Sequence, residues 1–274
     1  MTVTDTYISD LSGLDGFRPQ LIALDLDDTT LSHDDTVSER VVEAIAAVRE
    51  QGVHVVAATG RSISTTVPVC HAAGIPDWAV CSNGAMLVDV ARNTPVDVIT
   101  FDPEPVLRRV VEMIPDAHLG VEGPDGMFRT NRMFEHSALA MGVREVDFDN
   151  LISEPVIRLV VRSDEHMDAG LGHVAAELGL HSVVFGISQF AWMDIGPFGV
   201  NKATMLSRLC EQLGVEQSQT MAIGDSMNDR EMLTWAGRGV LMGHAVPEMH
   251  EYADVLTASE RGLGVALALE QCLQ

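Results

Sequence analysis

Apolar positions in this chain fall into short unbroken runs separated by longer amphipathic ones. Residues 21–24, 53–58, 78–81 and 220–223 are almost wholly apolar and end in polar or Gly-rich turns, which predicts buried β-strands. Between them the period lengthens. Val37, Val41, Ile45 and Val48 share one helical face. Thr36-Val37-Ser38-Glu39 reads as the capping box that starts this helix, and Gly52 as its close. A helix-compatible run follows Thr59-Gly60-Arg61. Met205, Leu206, Leu209 and Leu213 mark another helix ending at Gly214, and 227–235 a further one. Strand and helix in alternation predict an α/β fold built on a Rossmann-like, doubly wound parallel sheet.

The alternation breaks off near Met86. Over 86–198, strand-like runs (156–161, 183–186, 191–195) mix with helical ones (104–114, 167–178), punctuated by turns such as Gly123-Pro124-Asp125-Gly126. This reads as an α+β domain inserted into the first, with 21–85 and 199–274 forming the core and 86–198 the insertion. Residues 1–20 lack periodicity and are expected to be a flexible tail.

Charge narrows the function. A net charge of −23 argues against nucleic acid and anionic membranes as partners, though one local cationic site can still take an anionic substrate. Cys70, Cys81, Cys210 and Cys272 have no C-x-x-C spacing and suit a reducing compartment. With no basic and apolar leader and no membrane-length apolar run, a cytoplasmic location is expected. Among 17 basic residues, Lys202 is the only lysine. It stands at a helix start, the wrong end for a cation in dipole terms, which invites a functional explanation.

The chemistry gathers after the strands. Asp25, Asp27 and Asp28 follow the first strand at once, and such a cluster is tolerable where a hard cation such as Mg²⁺ neutralises it. An alternating backbone would aim Asp25 and Asp27 into one site. The bland alternative is a solvated turn. Thr59 follows the second strand and Gly224-Asp225 a later one, and ligands bind at the carboxyl ends of strands in an open parallel sheet. Asn228 and Asp229 come next, where Asp225 and Asp229 could also serve merely as helix caps.

In order and spacing the chain resembles phosphatases of the haloacid dehalogenase superfamily, most of all the Cof-like subgroup. Asp25-x-Asp27-x-Thr29 matches the first motif, Thr59 the second, Lys202 in Gly-Val-Asn-Lys the third, and Gly-Asp225-x-x-Asn228-Asp229 the fourth. Ser82-Asn83-Gly84-Ala85 also suits the subgroup, just before its cap domain. Asp28 and Thr30 depart from the usual pattern.

The resemblance implies a magnesium-dependent hydrolase of small phosphate monoesters, such as sugar phosphates, acting through an aspartyl-phosphate. Asp25 would be the nucleophile and Asp27 the general acid and base. Mg²⁺ would be held by Asp25, the Asp27 backbone carbonyl and Asp225. Thr59, Gly60, Lys202 and Asn228 would bind the phosphoryl group, with Thr29 orienting Asp27 and Asp229 supporting from behind. The insertion would be a cap that selects the leaving group. Arg61 could reach substrate or pair locally, and His71, His118, His173 and His244 read as structural. The rivals are a phosphomutase of the same superfamily and a non-catalytic metal- or phosphate-binding module. Neither the substrate nor the oligomeric state is legible.

Overall fold

The structure is a computed structural model describing residues 10–133, 143–163, 181–187 and 190–274. The helix expected over 167–178, and His173 with it, lie outside the described residues. Two sheets organise the rest.

The larger sheet contains β1 (Leu21–Leu24), β2 (His54–Ala58), β3 (Trp78–Cys81), β4 (Met86–Asp89) and β5 (Thr94–Val98). Its later members are β12 (Thr220–Gly224), β13 (Arg238–Leu241) and β14 (Val255–Leu256). Their spatial order is β14-β13-β12-β1-β2-β3-β4-β5, parallel from β14 to β3 and antiparallel beyond.

The central strands are buried on both faces, which explains their unbroken apolar sequences. Ile22, Leu24, Val55 and Ala57 face α1 (Glu39–Glu50), α2 (Ile63–Ala73) and α7 (Leu263–Cys272). Leu21, Ala23, Val56 and Ala58 face α5 (Lys202–Leu213) and α6 (Arg230–Trp235). Register decides where chemistry can happen. Leu24 lies level with Ile223 on one side and Ala57 on the other, so Asp25, Gly224-Asp225 and Thr59 emerge along one edge.

The capping of α1 falls two residues later than expected. Ser38 is its N-cap and accepts from the Val41 N–H, while the Thr36 hydroxyl donates to Asp34 Oδ1 at 2.6 Å.

Two expected boundaries are corrected. The core does not stop at 85, because β4 returns antiparallel along β3 and β5 along β4, with Met86 and Val88 packing into one face and Leu87 into the other. The insertion therefore begins after β5, at the bridge where Phe101 donates to the Val156 carbonyl. Nor are all of residues 1–20 a loose tail. The Asp10 N–H donates to the Leu256 carbonyl, and Leu14 is fully buried in the core with Leu11 and Phe17 beside it. Leu11, Leu14 and Phe17 form an apolar stripe too short to register as a period. Residues 1–9 lie outside the description.

The smaller sheet comprises β6 (His118–Glu122), β7 (Phe128–Thr130), β8 (Arg144–Glu145), β9 (Arg158–Ser163), β10 (His181–Ile187) and β11 (Phe190–Gly196). They are arranged β10-β11-β9-β6-β7-β8. Leu119, Val121, Leu159, Val161, Met193 and Ile195 pack against α3 (Glu104–Met113) and α4 (Phe148–Leu151). By strand alternation, Glu122, Arg158 and Asp194 lie on the other face. Among the described residues no helix is long and apolar enough to cross a membrane.

The packing of 10–20 is open to a direct check. Leu14→Ala should lower unfolding free energy by about 2–5 kcal/mol in denaturant titrations. A loss under about 0.5 kcal/mol, usual for a surface change, would contradict it.

Candidate active site

The site begins where β1 stops. The Asp25 N–H still donates to the Ile223 carbonyl at 2.9 Å, extending the ladder by one bond. The backbone then closes a wide turn over Leu26–Thr30, with Asp28 in the left-handed region at φ +60°. The turn is tied back by the Thr30 hydroxyl, which donates to the Asp25 carbonyl. Opposite, Asp225 follows β12, and the two peptide N–H groups of Asp225 and Ser226 donate to Asp229 Oδ2, each at 3.0 Å. Gly224 has to be glycine here, since a Cβ would lie 2.5 Å from Asp229 Cγ.

These elements bring Asp25, Asp225 and Asp229 together, each offering a carboxylate oxygen within 4.8 Å of the others. Lys202, fully buried, donates from Nζ to Asp25 Oδ1 at 2.5 Å and to Asp229 Oδ1 at 2.6 Å. It is the first residue of α5, behind an Asn201 cap that accepts from the Thr204 N–H. The approach of this helix requires Gly84, where a Cβ would fall 1.9 Å from the Asn201 carbonyl oxygen.

Burial and the neighbouring Asp229 and Asp225 charges hold the Asp25 carboxyl well above its usual range, with Lys202 pulling the other way. Burial alone would lower the Lys202 ammonium, but Asp229 and Asp25 outweigh it and raise its pKa. The cation at the wrong end of a helix is thus held by carboxylates rather than by the dipole.

Thr59 and Asn228 join this edge. Thr59 is fully buried, and its hydroxyl oxygen accepts from the Arg61 N–H at 3.1 Å, leaving the hydroxyl hydrogen for another acceptor. The Gly60 carbonyl accepts from Arg158 of β9. Asn228 donates to Asn83 Oδ1 at 3.3 Å and accepts from the Ser226 hydroxyl.

Asp27 departs from expectation. Strand alternation would aim it alongside Asp25, but the chain has already left strand geometry, and its side chain is 51% exposed at the rim. There it accepts two bonds from Arg61 Nε, at 2.9 and 3.0 Å, and a third from Nη2. The same guanidinium reaches Asp35 at 3.0 Å. Arg61 therefore pairs locally. Thr29 was expected to orient Asp27; its hydroxyl donates instead to Asp225 Oδ1 at 3.0 Å.

Asp28 pairs with Arg261 at 2.6 Å. His244, read as structural, stands with Nε2 3.6 Å from Asp225 Oδ2, which together with the Ser259 carbonyl raises the imidazole pKa. Its signal was available, since Gly243-His244 follows a strand at the same sheet edge.

A family model described as haloacid dehalogenase-like hydrolase matches residues 22–269. The chain belongs to that family. Among relatives of this hydrolase, the 5-amino-6-(5-phospho-D-ribitylamino)uracil phosphatase YitU of Bacillus subtilis is 27% identical, over 93% of this chain and 97% of its own. The pyridoxal phosphate phosphatase YbhA of Escherichia coli is 28% identical, over 86% and 92%. A solved haloacid dehalogenase-like hydrolase from Bacteroides thetaiotaomicron superposes with a TM-score of 0.76 at 26% identity, covering 93% of this chain and 99% of that one.

The donor set of this haloacid dehalogenase-like hydrolase fits Mg²⁺. The cluster offers only carboxylate oxygens, in a buried site where like charges otherwise oppose one another. A cation that binds only the folded protein stabilises it by mass action. Millimolar Mg²⁺ should raise the melting temperature of the parent by several degrees and that of Asp225→Ala far less. Equal upshifts would exclude Asp225 as a ligand.

Proposed function

We propose that the protein is a magnesium-dependent phosphatase of small phosphate monoesters that works through an aspartyl-phosphate on Asp25. The observation that carries this reading is the buried Lys202 ammonium clamped between Asp25 and Asp229, beside Asp225. A fixed cation touching a buried carboxylate serves where negative charge must be brought to negative charge. Asp25, Asp225 and the Asp27 backbone carbonyl would hold Mg²⁺, which when bound would supply further positive charge to offset that of the phosphoryl group.

In the first step a carboxylate oxygen of Asp25 attacks phosphorus. The oxygen–phosphorus bond to Asp25 forms as the ester bond breaks, and Asp27 gives its proton to the departing alkoxide. In the second, water attacks the aspartyl-phosphate and passes a proton to Asp27. Inorganic phosphate leaves and Asp25 is regenerated. Lys202, the Thr59 hydroxyl, Gly60 and Asn228 hold the phosphoryl oxygens, where charge spreads in the transition state. Asp229 keeps Lys202 in place. Arg61 pairs with the half-exposed Asp27 at the rim, and Asp27 leaves that pair in its protonated form to reach a leaving group.

The inserted domain selects that leaving group and excludes water as it closes. The substrate class is small phosphorylated metabolites, in keeping with relatives named for a ribitylaminouracil phosphate and for pyridoxal phosphate.

Leaving-group dependence tests the assignment. The parent should hydrolyse p-nitrophenyl phosphate only with Mg²⁺. Asp27→Asn should lower kcat on alkyl phosphates by about 10²–10⁴-fold, the usual worth of a general acid. On p-nitrophenyl phosphate, whose leaving group needs no proton, the first-step defect should shrink. An equal loss of kcat/KM, which reads the first step, on both substrates would remove Asp27 from the role of leaving-group acid.

A further inference from the structure

A buried ion cluster sits on the face of the smaller sheet that turns away from its helices. Arg158 of β9 donates from Nε to Glu122 Oε2 of β6 at 2.9 Å and from Nη1 to Asp194 Oδ2 of β11 at 3.0 Å. All three side chains are buried, and the guanidinium lies 5.2 Å from the centre of the Phe128 ring. Burying two carboxylates with one guanidinium is a costly way to join three strands, since well-packed apolar side chains commonly do as well or better. What an apolar trio could not do is reach the core. The same Nη1 donates to the Gly60 carbonyl at 2.6 Å, and Glu122 Oε2 accepts from the Ser82 hydroxyl at 2.8 Å.

The Gly60 carbonyl belongs to the planar peptide unit whose N–H is that of Arg61. That N–H donates to the Thr59 hydroxyl oxygen. One rigid unit is therefore held at one end by a cation of the inserted domain, and with its other end it fixes how the Thr59 hydroxyl is turned. A hydroxyl oxygen that accepts from Arg61 keeps its own hydrogen free to donate. Ser82 and Asn83 brace the same turn, with the Ser82 N–H on the Arg61 carbonyl and the Asn83 N–H on the Thr59 carbonyl.

We propose that Arg158 is a positioning residue for phosphate binding: from the inserted domain it locks the Gly60–Arg61 peptide, so that Thr59 presents its hydroxyl hydrogen to a phosphoryl oxygen. The proposal rests on the reading of Thr59 as a phosphate contact. It gives the insertion a second task, at the invariant phosphoryl end of the substrate and separate from choosing the leaving group.

The test is a double-mutant cycle read by inorganic phosphate as competitive inhibitor, with Mg²⁺ affinity measured by calorimetry on the same proteins. Arg158→Lys retains a charge for Glu122 and Asp194, so the fold is kept, but one ammonium cannot reproduce the three-way guanidinium geometry. In the otherwise native protein it should weaken phosphate binding about ten-fold, the worth of one hydrogen bond. In a Thr59→Val background the further loss should be under about two-fold, because the group through which Arg158 acts is gone. Mg²⁺ affinity should stay within about two-fold throughout, its ligands lying on other strands.

A merely structural Arg158 would give the same loss in both backgrounds, and that additivity overturns the proposal. So does unchanged phosphate binding in Glu122→Gln/Arg158→Met/Asp194→Asn, which removes the whole cluster without stranding a charge. A parent that binds no phosphate overturns the phosphatase reading and this proposal together. A parent that binds it, with additive losses, overturns this proposal alone.

Discussion

Asp25, Asp225 and Asp229 present carboxylate oxygens within 4.8 Å of one another in a buried site, and within the chain it is the Lys202 ammonium that offsets their repulsion. Much of the local structure follows from bringing that cation in. α5 must start at Lys202, so its orphan N–H groups are satisfied by Asn201 and Thr204 rather than by an acidic residue. The preceding residue must pass against the 82–84 turn, which admits only glycine at 84. Asp229 must turn back beneath its own helix start, which admits only glycine at 224. A compact ammonium suits this space better than the planar fork of arginine, in a chain that uses arginine everywhere else.

Much of this was legible before the fold was known. Apolar runs ending in Asp25, Thr59 and Asp225 place those residues at one sheet edge, because parallel strands in register must end together. Lys202 could be singled out by its isolation and by its position at the wrong end of a helix. What failed were inferences that carried a local period past the point where the backbone changes. Asp27 was aimed alongside Asp25 by strand alternation, which ends at Asp25. The limits of the core were set by where the βα rhythm stops, but β4 and β5 join the same sheet as an antiparallel hairpin. Leu14 was lost among polar neighbours.

Partnerships between distant residues were not legible at all. Thr29 with Asp225, Asp28 with Arg261 and Arg158 with Gly60 are separated by 98 residues or more. No periodicity reports them. In the case of Asp28, the departure from the usual motif has its counterpart in Arg261, with which the half-exposed carboxylate pairs.

The arrangement divides the labour between two sheets. On the proposed reading, the core edge would supply nucleophile, cation and metal-binding carboxylates on rigid strand ends, while the insertion would supply the surface against which a leaving group is chosen. The proposed mechanism turns on a covalent bond to one carboxylate, and an acyl phosphate can be trapped. Enzyme quenched with acid during turnover and then reduced with borohydride should yield homoserine at position 25 by peptide mass spectrometry, only with substrate and Mg²⁺ present. Homoserine at another aspartate, or unmodified Asp25 in Asp27→Asn enzyme quenched under saturating p-nitrophenyl phosphate, where the first step needs no proton and the second is slowed, would contradict Asp25 as the nucleophile.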